Sequence, residues 1–324
     1  MGLAGADVSV CVPAFEDPVR LVPALESIAA QTVLPGEVVV SDDGSTADVA
    51  GAVERFAAAH PALAVTFLRS PVTTGVVQNR NRAIAATSGA WIAMLDHDDV
   101  WLPTKLEQQL AFLRGWDGAR PLVAVATWGT NVNDALVPMS AAPMGGTTEA
   151  DYEATLARAD LFYLLHSSLL IRAADLRAVG GYDDAYGNSN DDVWLMSRLA
   201  QRGAIVSVPE PLVLYRKTVS SGQIQWFAEQ QAEQERLLLN LGRARRSEPP
   251  LTRAERAAQL AAEPLVVRVR RRLLVFGKHQ YRLGAAMACN GQCVRGGARL
   301  LLAAVFDPTR TRDGLRSALR TRRR

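Results

Sequence analysis

The stretch WIAMLDHDD, residues 91–99, passes from an apolar run directly into three carboxylates within four positions, Asp96, Asp98 and Asp99. The run has the length of a buried strand, and a helical pattern opens soon after it at Pro103. Carboxylates this close repel one another unless a cation lies among them. Because ligands of open α/β sheets bind at the carboxyl ends of strands, the stretch predicts a site for Mg²⁺ or Mn²⁺ holding a substrate diphosphate. The alternative is a solvated acidic turn that caps the helix, for which one aspartate would suffice.

Short apolar runs alternate with helical patterns over the first hundred residues. They predict strands over 7–12, 38–40 and 63–68 and helices over 19–31, 46–59 and 75–86. Ser45 or Thr46 is the expected N-cap of the second helix. The alternation predicts an α/β fold, with a doubly wound, mostly parallel sheet and right-handed connections. The polar clusters that follow the first, second and fourth strands should therefore gather at one edge of the sheet.

Composition limits the class of protein. Of 324 residues, 48% are apolar, which is enough for a packed core. No run approaches the roughly 18 apolar residues of a membrane span, and no basic-then-apolar leader opens the sequence. The three scattered cysteines, Cys11, Cys289 and Cys293, suggest a reducing compartment. We therefore expect a cytoplasmic protein, with the inner face of the membrane as an alternative peripheral location.

Charge is distributed unevenly along the chain. Residues 1–240 carry 16 basic and 28 acidic side chains, whereas residues 241–324 carry 20 basic and 5 acidic ones. The C-terminal part has helical patterns, one of them opening at Pro264, and it ends in the basic stretch Arg320–Arg324. Basic amphipathic helices suit an anionic membrane surface; a helical appendage docked on the acidic body fits the pattern equally well. Nucleic acid is disfavoured as a partner because stacking aromatic residues are sparse there.

Several short motifs, taken in order, carry a family resemblance. They are Pro13-Ala14-Phe15, the Ser-Asp-Asp-Gly-Ser of residues 41–45, Gly75 with Arg80 and Asn81, the acidic stretch ahead of Trp101, the Gly-Gly-Tyr-Asp of residues 180–183, and Asp191-Asp192. Each motif is weak by itself. Their order and spacing over about residues 7–217 resemble the family 2 glycosyltransferases of the GT-A fold.

The resemblance implies an inverting, metal-assisted transferase that moves a sugar from a nucleoside-diphosphate sugar, of UDP, dTDP or GDP type, to an acceptor hydroxyl. The residues implied for the nucleotide-sugar pocket are Pro13, Ala14, Phe15, Asp42, Arg80 and Asp96. The first three would line the nucleobase and ribose pocket, Asp42 would accept a hydrogen bond from the base, and Arg80 would lie near the base or the diphosphate. Asp96 and Asp98 would form the metal-binding DXD pair, with Asp98 in direct contact with Mn²⁺ or Mg²⁺.

The resemblance also implies that Asp192 is the general base and that Asp191 lies beside it, toward the acceptor. A carboxylate near an acceptor hydroxyl can take its proton during attack, and a single displacement inverts the anomeric centre. Helix N-capping before Val193 is the alternative for this pair. The chain departs from the family pattern in two places: the usual Glu-Asp pair is Asp-Asp, and Lys217 and Thr218 follow where many relatives have a metal-binding histidine.

Two other functions remain as alternatives. One is a catalytically degenerate GT-A-like binding or assembly subunit. The other is a nucleotidyltransferase, disfavoured because residues 13–18 contain neither the glycine nor the basic residue of a phosphate loop. The expected organisation is a nucleotide-sugar-binding half over 1–115, an acceptor-binding half of the same domain over 116–220, and a basic helical region over 221–324. We expect a loop over 131–148 and a core or loop position for His166.

Overall fold

The structure is a computed structural model that describes residues 4–158, 160–219, 222–225 and 227–308. The predicted basic end Arg320–Arg324 lies outside these residues. The chain divides into two compact units, one of Met1–Asn131 with Ala141–Arg216, and one of Val132–Ser140 with Lys217–Arg324. None of the helices in the described part of the chain has an apolar stretch long enough to cross a bilayer.

Strands and helices alternate through the first unit. The elements up to the acidic stretch are β1 Val8–Ala14, α1 Pro18–Ala29, β2 Glu37–Asp42, α2 Val49–Ala59, β3 Val65–Arg69, α3 Val76–Ala85 and β4 Trp91–Met94. Those after it are β5 Val100–Trp101, α4 Lys105–Arg114, β6 Leu122–Val132, β7 Pro138–Ala142, α5 Glu149–Arg158, β8 Leu170–Arg172, α6 Ala173–Ala178, α7 Asp191–Leu199 and β9 Ala204–Arg216. The helices of the second unit are α8 Gly222–Gln225, α9 Phe227–Arg245, α10 Arg253–Ala262, α11 Leu265–Cys289 and α12 Cys293–Phe306.

The sheet has the strand order β3-β2-β1-β4-β8-β6-β9-β5. Its first four strands are parallel, since β1 pairs in parallel with both β2 and β4, and β2 pairs in parallel with β3. Antiparallel pairs follow, β4 with β8, β8 with β6, and β5 with β9. The predicted α/β fold with a doubly wound sheet and a helical C-terminal region is therefore confirmed, with a mixed second half of the sheet.

The alternation of side chains along β1 explains why helices cover both faces. Val10 and Val12 belong to one core cluster with the apolar sides of α1, α2 and α4, whereas Cys11, between them, belongs to the other cluster with α3. Successive side chains of a strand point to opposite faces, so a strand with apolar residues on both faces must be covered on both.

Two local predictions were wrong. The N-cap of α2 is Asp48, whose side chain accepts from the Gly51 amide at 2.9 Å, because the Ser45 hydroxyl is already engaged with Asp42. The predicted loop over 131–148 contains β7. The β7 segment, Pro-Met-Ser-Ala-Ala, has no β-branched or aromatic residue that would indicate a strand.

A fully buried lysine lies beneath the acidic stretch. The Lys105 side-chain nitrogen donates to Gln109 Oε1 at 2.9 Å and lies 3.8 Å from the centroid of the Trp101 ring. Gln109 in turn donates to the carbonyl oxygens of Val125 and Ser168, both at 2.8 Å. Burial holds the pKa of Lys105 well below its usual value, because within the described part of the chain no carboxylate pairs with this amine.

We expect Lys105→Met to change how stability depends on pH. In the window between the lowered folded-state pKa and the ordinary value near ~10.4, the unfolded state binds the proton and the folded state does not, so wild-type stability rises with pH. Relative to Lys105→Met, wild type should gain up to about 1.4 kcal/mol per pH unit inside that window. Denaturant unfolding between pH 7 and pH 10 measures this difference.

The control is Lys278→Met, which removes a lysine of the second unit that is only partly buried. It should leave the pH dependence of wild type unchanged. A constant stability difference between wild type and Lys105→Met across the range would mean that Lys105 stays charged in the folded protein.

Candidate functional site

Polar side chains gather at the carboxyl edge of the parallel strands. Ala14 at the end of β1 is in register with Asp42 at the end of β2, and the amide of Leu95 donates to the carbonyl of Cys11 at 3.0 Å as β4 ends. The clusters that follow β1, β2 and β4 therefore meet at one edge, as predicted from the alternation of elements.

The turn after β2 is held by its own two aspartates. Asp42 is completely buried; it accepts from the amide and hydroxyl groups of Ser45, and the Arg69 Nε lies 3.5 Å from its Oδ2. Asp43 accepts from the amides of Thr74 and Gly75, at 3.0 and 2.8 Å. Gly75 has a φ of 94°, a conformation that favours glycine. Asp43 therefore holds the start of α3, a structural role that the sequence analysis did not assign.

The predicted residues at the end of β1 differ in exposure. Pro13 and Ala14 are buried, whereas Phe15 is 42% exposed beside them. The carbonyl of Ala14 accepts from the side-chain amide of Asn79 on α3 at 3.2 Å. Of these three residues, Phe15 is the one whose side chain is available to a ligand.

Arg80 on α3 joins two of the predicted motifs. One of its terminal nitrogens lies 2.5 Å from Asp191 Oδ2, and the other lies 3.1 Å from Asp96 Oδ1. Burial by itself would lower the pKa of Arg80, but the charges of Asp191 and Asp96 raise it. The Arg80 side chain is 11% exposed, and its Nε has no hydrogen-bond partner among the described residues. A single cation thus holds the acidic stretch after β4 and the start of α7 together.

Asp96 has a second partner that the sequence analysis left in the core or a loop. His166 Nδ1 lies 3.0 Å from Asp96 Oδ2, and the Tyr182 hydroxyl lies 2.7 Å from the other ring nitrogen of His166. Burial acts to raise the pKa of Asp96, but His166 and Arg80 hold it well below its usual range. Burial raises the pKa of Tyr182. His166 is buried, as expected, and it also belongs to the carboxylate cluster.

Within the acidic stretch, Asp98 and Asp99 have raised pKa values. Burial raises the pKa of Asp98. The charge of His97 opposes this increase, and the charge of Asp96 adds to it. Burial and the charges of Asp98 and Asp96 raise the pKa of Asp99 still further. Asp99 accepts from the Ser167 hydroxyl at 2.5 Å and from the Arg216 amide at 2.8 Å. Asp99 therefore ties the acidic stretch to the strand end of β9, while Asp98 remains half-buried.

The carboxylates fit a divalent cation in their chemistry. Within the described residues, no three His, Cys, Asp or Glu side chains are grouped as a ready set of metal ligands. Arg80 and His166 already engage both oxygens of Asp96, so Asp98 is the carboxylate better placed to take a metal. Carboxylate oxygens are the kind of ligands that Mg²⁺ and Mn²⁺ prefer.

Asp191 and Asp192 occupy the first turn of α7 in different environments. Asn190 is at the N-cap position and makes no side-chain capping bond. Asp191 is bound to Arg80, and Asp192 Oδ1 accepts from the Val193 amide at 2.7 Å. Burial and the charge of Asp191 raise the pKa of Asp192, against the opposing charges of His166 and Arg80. Capping therefore does not account for Asp191.

The two groups of carboxylates lie near each other. Burial raises the pKa of the Tyr215 hydroxyl, and so do the charges of Asp99, Asp98, Asp96 and Asp192, in that order. One hydroxyl on β9 is therefore influenced both by the acidic stretch after β4 and by the start of α7. The fold and this cluster define an α/β protein with a candidate ligand site at the carboxyl ends of its parallel strands.

A protein-family model matches part of the chain. Residues 9–131, which include most of the parallel strands and the acidic stretch, match the model for glycosyl transferase family 2. This part of the chain is similar to that family.

Curated relatives are similar over part of their length. An uncharacterized protein of Mycobacterium tuberculosis is 29% identical over 199 residues, which are 60% of this chain and 54% of the relative. The Escherichia coli protein WfgD, a UDP-Glc:α-D-GlcNAc-diphosphoundecaprenol β-1,3-glucosyltransferase, is 29% identical over 106 residues, which are 33% of this chain and 40% of WfgD. The chain thus spans about half the length of the mycobacterial relative.

Solved structures share the fold. The mannosyltransferase PcManGT from Pyrobaculum calidifontis, in complex with GDP-Man and Mn²⁺, aligns with a TM-score of 0.55 and 20% identity, over 97% of this chain and 84% of that one. TarS residues 1–349 from S. aureus, in complex with UDP, align with a TM-score of 0.53 and 16% identity, over 92% and 88% of the two chains. At these identities the similarity concerns the fold.

Proposed function

We propose that this protein transfers a sugar, with inversion, from a nucleoside-diphosphate sugar to an acceptor hydroxyl in the cytoplasm. The observation that carries the proposal is the Arg80 bridge between Asp96 and Asp191. This bridge places the start of α7, which the family resemblance assigns to base catalysis, beside the acidic stretch that it assigns to the diphosphate. The UDP in TarS and the GDP-Man in PcManGT support a nucleotide-sugar donor.

The nucleotide would lie along the edge formed by the ends of β1 and β2. We propose that Pro13, Ala14 and the exposed Phe15 line the nucleobase and ribose pocket, and that Asp42 accepts from the base. The Arg80 guanidinium is a fixed cation beside Asp96, and it can attract the diphosphate without being deprotonated. We assign this nucleotide-binding half to residues 1–115 and the acceptor-binding half to residues 116–220.

A departing diphosphate needs positive charge near its oxygens. Asp98, assisted by Asp96, would hold a Mn²⁺ or Mg²⁺ ion, which supplies charge neutralisation to the leaving group when bound. The charge of Arg80 offsets part of the negative charge of Asp96 and Asp191 beside that position. Because Arg80 also engages Asp96 and Asp191, it orients both carboxylates before any ligand binds.

Asp192 is the proposed general base. Its raised pKa makes it a better proton acceptor than an ordinary aspartate. Asp191 is paired with Arg80 and is less free to move, so we assign it a positioning role toward the acceptor. Proton removal from the acceptor hydroxyl by Asp192 would accompany attack on the anomeric carbon.

Thermal shift and product release test this proposal together. A ligand that binds the folded state raises the melting temperature, so UDP, GDP and dTDP should be compared with and without Mn²⁺. We expect one nucleotide to stabilise the protein selectively, and we expect Mn²⁺ to increase its effect. Turnover is then measured as release of that nucleoside diphosphate from its sugar conjugates, with water or an added alcohol as the acceptor of the sugar.

Asp98→Asn should reduce the stimulation of nucleoside diphosphate release by Mn²⁺ at least ~10-fold, because it replaces a charged metal-binding carboxylate with a neutral amide. The control Asp117→Asn removes the same charge at an exposed position and should behave as wild type. Selective nucleotide binding with no release from any sugar conjugate would favour a degenerate binding subunit instead. The absence of any nucleotide effect would contradict the proposal as a whole.

A further inference from the structure

The helical hairpin α11–α12 of the second unit carries two exposed apolar stripes. On α11, Val266, Val269, Leu273 and Phe276 are 78%, 45%, 43% and 40% exposed. Their spacing of three and four residues puts them on one side of the helix. On α12 the corresponding stripe is Val294, Leu301 and Val305, at 88%, 74% and 71% exposed. Soluble proteins rarely leave so many large apolar side chains together in water.

Both stripes face the same side of the hairpin. A Cβ at Gly277 would lie 2.9 Å from Phe306 Cβ, and one at Gly284 would lie 2.9 Å from the carbonyl oxygen of Gly296. These two glycines therefore face α12, and Gly277, four residues after Leu273, shares the side of the α11 stripe. The α12 stripe lies across its helix from Gly296, so it points away from α11. Both stripes therefore point in one direction, which runs from α11 towards α12.

Arginines lie along both edges of the α11 stripe. Arg270 and Arg272 are exposed, and helical spacing places them on the two flanks of the stripe. Arg271 points elsewhere, pairing with Glu235 at 2.5 Å and Glu263 at 2.8 Å. The acidic residues near α11 are thus used internally, and positive charge remains beside the apolar surface.

We propose that the α11–α12 hairpin lies in the plane of an anionic membrane surface, with its two apolar stripes inserted among the lipids and Arg270 and Arg272 at the level of the headgroups. An apolar helix side flanked by arginines matches such an interface. A second copy of the chain is a poorer partner, because it would bring two strongly basic surfaces together. This proposal goes beyond sugar transfer and does not depend on it.

Vesicle cosedimentation of the full chain tests the hairpin. Vesicles of equal parts phosphatidylglycerol and phosphatidylcholine are compared with pure phosphatidylcholine. Wild type should bind the anionic vesicles at least ~30-fold more strongly, and the preference should weaken with salt. Arg270→Gln with Arg272→Gln should lower binding to the anionic vesicles about 30-fold and leave binding to neutral vesicles unchanged.

Two double variants separate insertion from a general loss of apolar surface. Val269→Asn with Leu273→Asn alters the stripe, at positions 45% and 43% exposed. Val267→Asn with Leu274→Asn makes the same changes on the opposite side of α11, at 44% and 38% exposed. The first pair should lower anionic-vesicle binding at least ~10-fold, and the second should stay within ~2-fold of wild type.

Circular dichroism and thermal melting of each variant check that the helices remain folded, and nucleotide binding is measured separately as a readout of the first unit. Equal binding of wild type to both vesicle types would overturn the proposal. So would an equal loss in the two double variants. A wild-type dimer in sedimentation velocity that Val269→Asn with Leu273→Asn dissociates would assign the surface to a second copy and would also overturn it.

Discussion

Asp192→Asn is expected to slow sugar transfer at least ~100-fold, the usual scale for losing a general base. The amide has nearly the same shape and can still accept from the Val193 amide, but it cannot take a proton from the acceptor. Nucleotide affinity should stay within about threefold of wild type, because Arg80 and Asp191 remain paired. Single-turnover transfer and isothermal titration with the nucleotide measure the two effects separately.

The matched control is Asp160→Asn. Asp160 is exposed, and its charge and that of Asp192 both raise the pKa of Tyr163, in addition to burial. It therefore lies on the same side of the domain but outside the Arg80 cluster. It should keep wild-type turnover. Unchanged transfer by Asp192→Asn, or an equal loss in both variants, would remove Asp192 from the proposed mechanism.

Arg80→Met is expected to lower both stability and nucleotide binding. It leaves the buried Asp191 carboxylate and the partly buried Asp96 carboxylate without the cation between them. Removing one partner of a buried ion pair costs about 3–5 kcal/mol of unfolding free energy. Denaturant unfolding at neutral pH measures this loss, and nucleotide titration of the folded fraction measures binding. Lowering the pH should narrow the stability difference between Arg80→Met and wild type, because protonation removes the uncompensated charges.

Arg82→Met supplies the comparison on the same helix. Arg82 is partly exposed and donates to Thr74 at 2.9 Å and to Asn79 at 3.1 Å. An exposed contact of this kind contributes about 1 kcal/mol or less. Arg80→Lys keeps the charge but loses the two-pronged geometry, so it should recover part of the stability and less of the binding. Equal effects of Arg80→Met and Arg82→Met would mean that the bridge does not organise the site.

The first half of the fold was predictable because its signals are local. Val8, Val10 and Val12 indicated a buried strand, and β1 is buried along its whole length. Where a segment's own residues favour the conformation it adopts, the sequence is informative by itself.

The second half of the sheet was less predictable for a physical reason. β9 runs from Ala204 to Arg216 and contains Pro209 and Pro211, residues that argue against a central strand. β5 has only two residues, Val100 and Trp101, and pairs with β9 far along the chain. Such strands form because strands elsewhere in the chain supply their hydrogen-bond partners. The local sequence pattern does not predict that pairing.

The sequence by itself determined that carboxylates would stand at the ends of the parallel strands, and it singled out Asp96, Asp98 and Asp192 as candidates. Only the tertiary structure decided their partners: Arg80 lies between Asp96 and Asp191, and His166 lies against Asp96. Periodicity along a chain specifies which side of a helix or strand is apolar. Which charges meet at the carboxyl edge of the sheet depends on strand order and register, and these are set by packing of the whole sheet.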